Sequence, residues 1–233
     1  MRESAGTVGT VRADAAPRRD IVLFDLDGTL SHSEPGICGT LKLALTEVGL
    51  PVPSDEQLRT AIGPPFTIGL PDIGIPADRV DEVTAAYRAI YEDTGLFDTS
   101  LYDGVGLLLD ELGDAGHTLC LATSKPEMSA RRVIEHFELT DRFKVIGAAS
   151  DDYVLHTKAD VIASVLDRLG VVGGDGIVMI GDRRFDVEGA AAHGIDTIGV
   201  TWGYGSREEL HSAGAWAIAD HPNEVMRLVG CDA

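Results

Sequence analysis

From residue 102 onward, short apolar runs alternate with segments of helical spacing, and no other feature restricts the fold as much. TLCLAT (118–123), FKVIGAA (143–149), GIVMIG (176–181) and DTIGVTW (196–202) are rich in Val, Ile and Leu. Each has the pattern of a strand buried on both faces. Between and before them lie VGLLLDELGDAG (105–116), PEMSARRVIEHFEL (126–139), TKADVIASVLDRLG (157–170) and FDVEGAAAHG (185–194). Their apolar residues recur every three or four positions and several end at Gly, which predicts helices. Alternation of this kind demands a parallel sheet with helices on both faces, an α/β core. IVLF (21–24) supplies one more strand of the same type, ahead of the alternating region.

Residues 33–101 break the rhythm. GTLKLALTEVGL (39–50), SDEQLRTAIG (54–63) and ADRVDEVTAAYRAIYEDTGLF (77–97) have helical spacing, punctuated by PVPS, GPPF and GLPDIGIP. No strand pattern separates them, so an all-α insertion is expected over 33–101, long enough to form a small second domain. The core then comprises 20–32 and 102–233. Residues 1–19 combine Gly, Ala, Arg and Pro and read as a disordered tail; they lack the apolar region of a secretory signal.

Lys and Arg total 19 against 38 Asp and Glu, a net charge of −19. A surface of that sign repels nucleic acid, and an anionic small substrate would need a local positive site. No apolar run reaches the ~18 residues of a membrane span. Cys38, Cys120 and Cys231 are too widely spaced for a zinc motif or a disulfide framework, which suits a reducing cytoplasm.

Ligands of an open parallel sheet bind beyond the C-terminal ends of its strands. IVLF runs into Asp25-Leu26-Asp27-Gly28-Thr29. TLCLAT ends in Thr123-Ser124, with Lys125-Pro126 at the expected helix start. Thr157-Lys158 opens a helix, and GIVMIG ends in Gly181-Asp182 with Asp186 four residues on. If these strands are neighbours, three carboxylates, a hydroxyl and a lysine share one rim. Clustered carboxylates repel, so a cation belongs among them, and an all-oxygen donor set suits Mg²⁺. Thr123, backbone N–H groups near Pro126 and Lys158 would hold phosphoryl oxygens. A lysine in the first turn opposes the helix dipole, and Thr157 with Asp160 already offers a cap, so Lys158 is not there for the helix. Asp25 is placed to attack phosphorus and form an aspartyl phosphate. Asp27 can protonate the leaving oxygen and then activate the next acceptor.

DLDGT, T-S-K, the Thr157-Lys158 helix start and GDRRFD resemble, in order, the four motifs of the haloacid dehalogenase-like (HAD) superfamily, over residues 20 to about 220. The resemblance implies a modified Rossmann core with a helical cap between the first two motifs. It implies Asp25 as nucleophile, Asp27 as acid/base, and Mg²⁺ bound by Asp25, the Asp27 backbone carbonyl and Asp182, with Asp186 supporting. Gly28, Thr29, Thr123, Ser124 and Lys158 fall in its phosphate-binding positions. IGPPF and TWGYGS resemble the phosphoglycolate phosphatase and nucleotidase subgroup. Asp27 argues against halide chemistry, because true dehalogenases lack it.

The catalytic region also resembles a mycobacterial branch of the family described as protein tyrosine kinases. That likeness leads to the first expectation, a kinase using ATP on itself and on a protein partner such as a protein tyrosine phosphatase. The alternatives are a phosphatase acting on a small phosphomonoester and an inactive interaction scaffold. The chain has neither a G-x-x-x-x-G-K-[ST] loop nor an H-R-D catalytic loop. GVVGGDG (170–176) leads into a strand and reads as a helix stop plus a turn. Water attacking an aspartyl phosphate makes a phosphatase; a tyrosine hydroxyl makes a phosphotransferase. The expected autophosphorylation site is Tyr204, in the apparently flexible Gly203-Tyr204-Gly205, whereas Tyr153 follows two acids. Arg183 and Arg184 are expected either to touch an anionic substrate or to shield the acidic rim, and Trp202 and Trp216 to be core.

Overall fold

The computed structural model describes residues 19–150 and 157–230. Most of the expected tail, Tyr153 and Cys231 lie outside them. The elements run β1 (Ile21–Phe24), β2 (Ser31–His32), α1 (Glu34–Glu47), α2 (Asp55–Thr60), α3 (Phe66–Asp72), α4 (Val80–Thr94), β3 (Ser100–Leu101), α5 (Val105–Asp114), β4 (Thr118–Pro126) and α6 (Glu127–His136). There follow β5 (Val145–Ala149), α7 (Lys158–Leu169), β6 (Ile177–Gly181), α8 (Arg184–Ala191), β7 (Asp196–Val200), α9 (Arg207–Ala213), β8 (Ala217–Ala219) and α10 (Pro222–Val229).

Six strands form one parallel sheet in the order β5-β4-β1-β6-β7-β8. β1 pairs with β4 on one side and β6 on the other, with Phe24 level with both Leu121 and Ile180. The chain therefore winds outward from β1 in both directions, and the switch point lies where the three motif-bearing strands end. Side chains of β1 alternate between two apolar layers. Val22 and Phe24 join a cluster with Leu108 and Leu109 of α5, Val133 of α6 and Val225 of α10. Leu23 joins Val161, Val165 and Ala190 from α7 and α8 on the opposite face.

The departures from the sequence reading are local. β8, α9 and α10 are too short to show a clear period, and α3 occupies a stretch read as punctuation. Pro65 is its N-cap, and Pro71 lies inside its last turn, where it has no N–H to give to the Thr67 carbonyl. Residues 100–101 are not helical: β3 pairs antiparallel with β2, so the segment after β2 returns beside its own starting point. Between that pair lie α1 to α4, with α1 and α4 meeting where Gly36 faces the Gly95 carbonyl; a Cβ at Gly36 would come within 2.0 Å of that oxygen. Trp216 is 45% exposed instead of core, and its ring lies under the buried Arg19 guanidinium. Among the described residues no helix is long and apolar enough to cross a membrane.

Candidate active site

The strand order brings the four motifs together. Asp25 follows β1, Thr123 lies near the end of β4, Asp182 follows β6, and Lys158 opens α7. The Asp25 amide donates to the Ile180 carbonyl (3.0 Å), which continues the β1–β6 ladder to the rim. Asp25, Asp182 and Asp186 are buried, with one carboxylate oxygen of each lying within 4.8 Å of the others.

Lys158 is 5% exposed and its Nζ lies 2.8 Å from both Asp25 Oδ1 and Asp186 Oδ1. The same Nζ donates to the Ala122 carbonyl (2.9 Å), and its contacts with the two carboxylate oxygens are ion pairs off the ideal hydrogen-bond direction. Burial alone would lower the Lys158 pKa, but Asp186 and Asp25 outweigh it and hold the ammonium charged. Thr157 and Asp160 form the capping box the sequence suggested, so Lys158 is spared from helix capping.

One cation does not balance three buried acids. Burial raises Asp25 to about 6, with Lys158 pulling down and Asp186 pushing up. Burial, then Asp186 and Asp25, raise Asp182 to about 8. Two buried oxygens without aligned donors and two raised carboxylates constitute a donor set for a hard divalent cation.

Asp182 is braced from three directions. Thr29 Oγ1 donates to Oδ1 (3.2 Å) and the Tyr204 amide donates to Oδ2 (2.7 Å). Gly28 and Gly203 press on it: a Cβ at either would lie within 2.4 Å of Asp182 Oδ2, and Gly28 also has φ +88°. Gly28 and Thr29, expected to bind phosphate, stand against the Asp182 carboxylate. Asp186 accepts from the Arg183 amide (3.0 Å). Thr123 is buried and its hydroxyl accepts from the Lys125 amide (3.2 Å), which leaves its own O–H to donate; Ser124 is half-buried beside it.

Asp27 stands outside this trio. Its carboxylate meets Lys125 Nζ at 3.2 and 3.1 Å. Lys125 lies at the end of β4, directly before Pro126, the N-cap of α6, as expected, and the register with β5 shifts between Thr123 and Pro126. The same Nζ donates to the Tyr91 hydroxyl of α4 (2.8 Å). Burial would lower the Lys125 pKa, and Asp27 and Tyr91 more than reverse that. The motif reading included Lys125 without giving it a role, and it missed Tyr91. The T-S-K pattern placed Lys125 near the site, but nothing local tied it to a tyrosine 34 positions away.

Tyr204 occupies a defined place. Its hydroxyl accepts from the amides of Ser33 (2.8 Å) and Glu34 (2.9 Å), at the start of α1. Burial pushes its phenol well above the usual range. Arg183 is buried; Nε donates to Glu209 (3.0 Å), and Nη1 donates to the carbonyls of Thr60, the last residue of α2, and Ile62. It bridges core and insertion instead of facing an open rim.

This arrangement can carry phosphoryl transfer through a carboxylate nucleophile. The profile of the haloacid dehalogenase-like hydrolases matches residues 22–200. The tyrosine-protein kinase PtkA of Mycobacterium tuberculosis is 45% identical over 208 residues, 89% of this chain and 70% of that protein. A 5′-nucleotidase of Pseudomonas aeruginosa is 38% identical over 85% of this chain and 90% of its own length; relatives named phosphoglycolate phosphatases also match. A solved structure described as a predicted phosphatase from Clostridium acetobutylicum superposes with a TM-score of 0.86 at 36% identity, covering 91% of this chain and 99% of that one. With its four motifs gathered on one rim, the chain belongs to the haloacid dehalogenase-like hydrolase family.

Proposed function

We propose that the protein is a phosphomonoester phosphatase of the phosphoglycolate phosphatase and nucleotidase type. The observation that carries this reading is the buried trio Asp25, Asp182 and Asp186 beside Lys158, with Asp27 two residues from the nucleophile. Tyrosine phosphorylation, the first expectation, takes second place: the hydroxyl of Tyr204 is already held by two amides, and nucleotidase and phosphatase relatives match along with PtkA.

A carboxylate oxygen of Asp25 attacks phosphorus, the P–O ester bond breaks, and the leaving oxygen takes a proton from Asp27. Water then attacks the aspartyl phosphate and gives its proton to Asp27, which releases phosphate and restores Asp25. Lys158 balances charge on Asp25 and Asp186, and Thr123 offers a hydroxyl to a phosphoryl oxygen. Asp25, Asp182 and Asp186 would hold Mg²⁺, which supplies Lewis-acid polarisation of the phosphoryl group. The helical segment α1 to α4 serves as the cap that decides which esters reach the rim. The free, buried Cys38 and Cys120 suit a cytoplasmic enzyme.

The test is phosphate release from a panel of phosphomonoesters with Mg²⁺, beside transfer of label from ATP to protein. Turnover of small esters, abolished to below about a thousandth by Asp25→Asn, is the expected result. Tyrosine labelling without phosphate release would restore the kinase reading.

A further inference from the structure

Asp27 is joined to the helical insertion through one buried cation. Lys125 Nζ spans Asp27 (3.1 and 3.2 Å) and the Tyr91 hydroxyl (2.8 Å), and all three residues are at most 9% exposed. Both ends of this bridge are rigidly supported. Tyr91 stacks on Tyr87 with centroids 4.9 Å apart and planes 19° from parallel, and Phe66 meets Tyr87 edge-on at 4.8 Å. On the other side, the irregularity in the β4–β5 pairing lies between Thr123 and Pro126, the stretch that carries Lys125. Bulges of this kind re-aim side chains beside active sites. The Lys125 amide is tied to Thr123 Oγ1 (3.2 Å), so the same turn of chain places both.

We infer that Lys125 and Tyr91 are positioning residues for Asp27: the insertion's tyrosine fixes the ammonium, and the ammonium aims the carboxylate at the leaving oxygen. This rests on the acid/base reading of Asp27 above. Lys158 serves the nucleophile and Lys125 serves its partner, so the two lysines divide the work. The acid/base carboxylate is fully oriented only while α4 is seated on the rim. Productive chemistry is thereby linked to the position of the insertion.

The test uses two esters that differ in their need for a proton. An aryl ester such as p-nitrophenyl phosphate leaves readily as an anion, whereas an alkyl ester such as phosphoglycolate does not. kcat/KM for both is measured for the wild type, Asp27→Asn, Lys125→Met, Tyr91→Phe and the Lys125→Met/Tyr91→Phe double variant. Lys125→Met should lose ~10- to 100-fold on the alkyl ester and less than about 3-fold on the aryl ester, as expected for a misplaced general acid. Tyr91→Phe keeps the ring stack and should show a smaller loss with the same bias. The double variant should be no worse than Lys125→Met, since both act along one path. Equal losses on the two esters, or none, overturn the inference, and Tyr91→Phe decides the matter if Lys125→Met fails to fold. If Asp27→Asn itself shows no bias toward the alkyl ester, the acid/base reading falls instead.

Discussion

At the scale of single residues, the acids of the rim carry a cost that the fold alone does not relieve. Asp25 is raised to about 6 and Asp182 to about 8, both chiefly by burial. A carboxylate raised in the folded state favours folding most below its unfolded value, near 3.9, and that contribution is lost as pH rises through the folded value. With divalent ions chelated, the melting temperature should therefore fall between pH 5 and pH 8.5, and Asp182→Asn should flatten the slope. Added Mg²⁺ should raise the melting temperature more at pH 8.5 than at pH 5, because binding stabilises only the deprotonated site. A rise independent of pH, or no rise, would place the ion elsewhere. The sequence made these acids legible because each terminates a strand, and a strand's direction can be read from its apolar run. Lys125 and Tyr91 were not legible in this way, since their meeting depends on an irregular strand end and on the placement of α4.

At the scale of elements, the parallel core was readable because β1, β4, β6 and β7 are continuous apolar runs bounded by glycine or acid. The inserted helices α1, α2 and α4 were readable from their period, but not how they pack. α1 and the end of α4 meet at a glycine contact. Gly36→Ala places a methyl group against the Gly95 carbonyl, and α1 must shift to admit it. Overpacking of this kind costs about 1–3 kcal/mol. A fall of several degrees in melting temperature should appear in calorimetry, with far-ultraviolet circular dichroism unchanged. A neutral result would mean that the two helices separate freely. Tyr204 teaches a related lesson: glycines on both sides suggested freedom, whereas they permit a close approach that lets the ring cap α1.

At the scale of the whole molecule, two cations of the core reach across to the insertion, and each adjoins a functional acid. Lys125 meets Tyr91 beside Asp27, and Arg183, next to Asp182, holds the carbonyls of Thr60 and Ile62. Arg183→Met leaves those carbonyls without their donor, so amide hydrogen exchange should quicken around residues 58–64 while the central strands keep their protection. Unchanged exchange there would show that this bridge holds nothing in place. The antiparallel pair β2–β3 has a separate consequence. Because the chain departs and re-enters side by side, the six-stranded sheet is indifferent to how many residues lie in between. Changes of length or sequence in that excursion, away from Tyr91 and the Thr60 and Ile62 carbonyls, leave the strand pairing beneath it as it is.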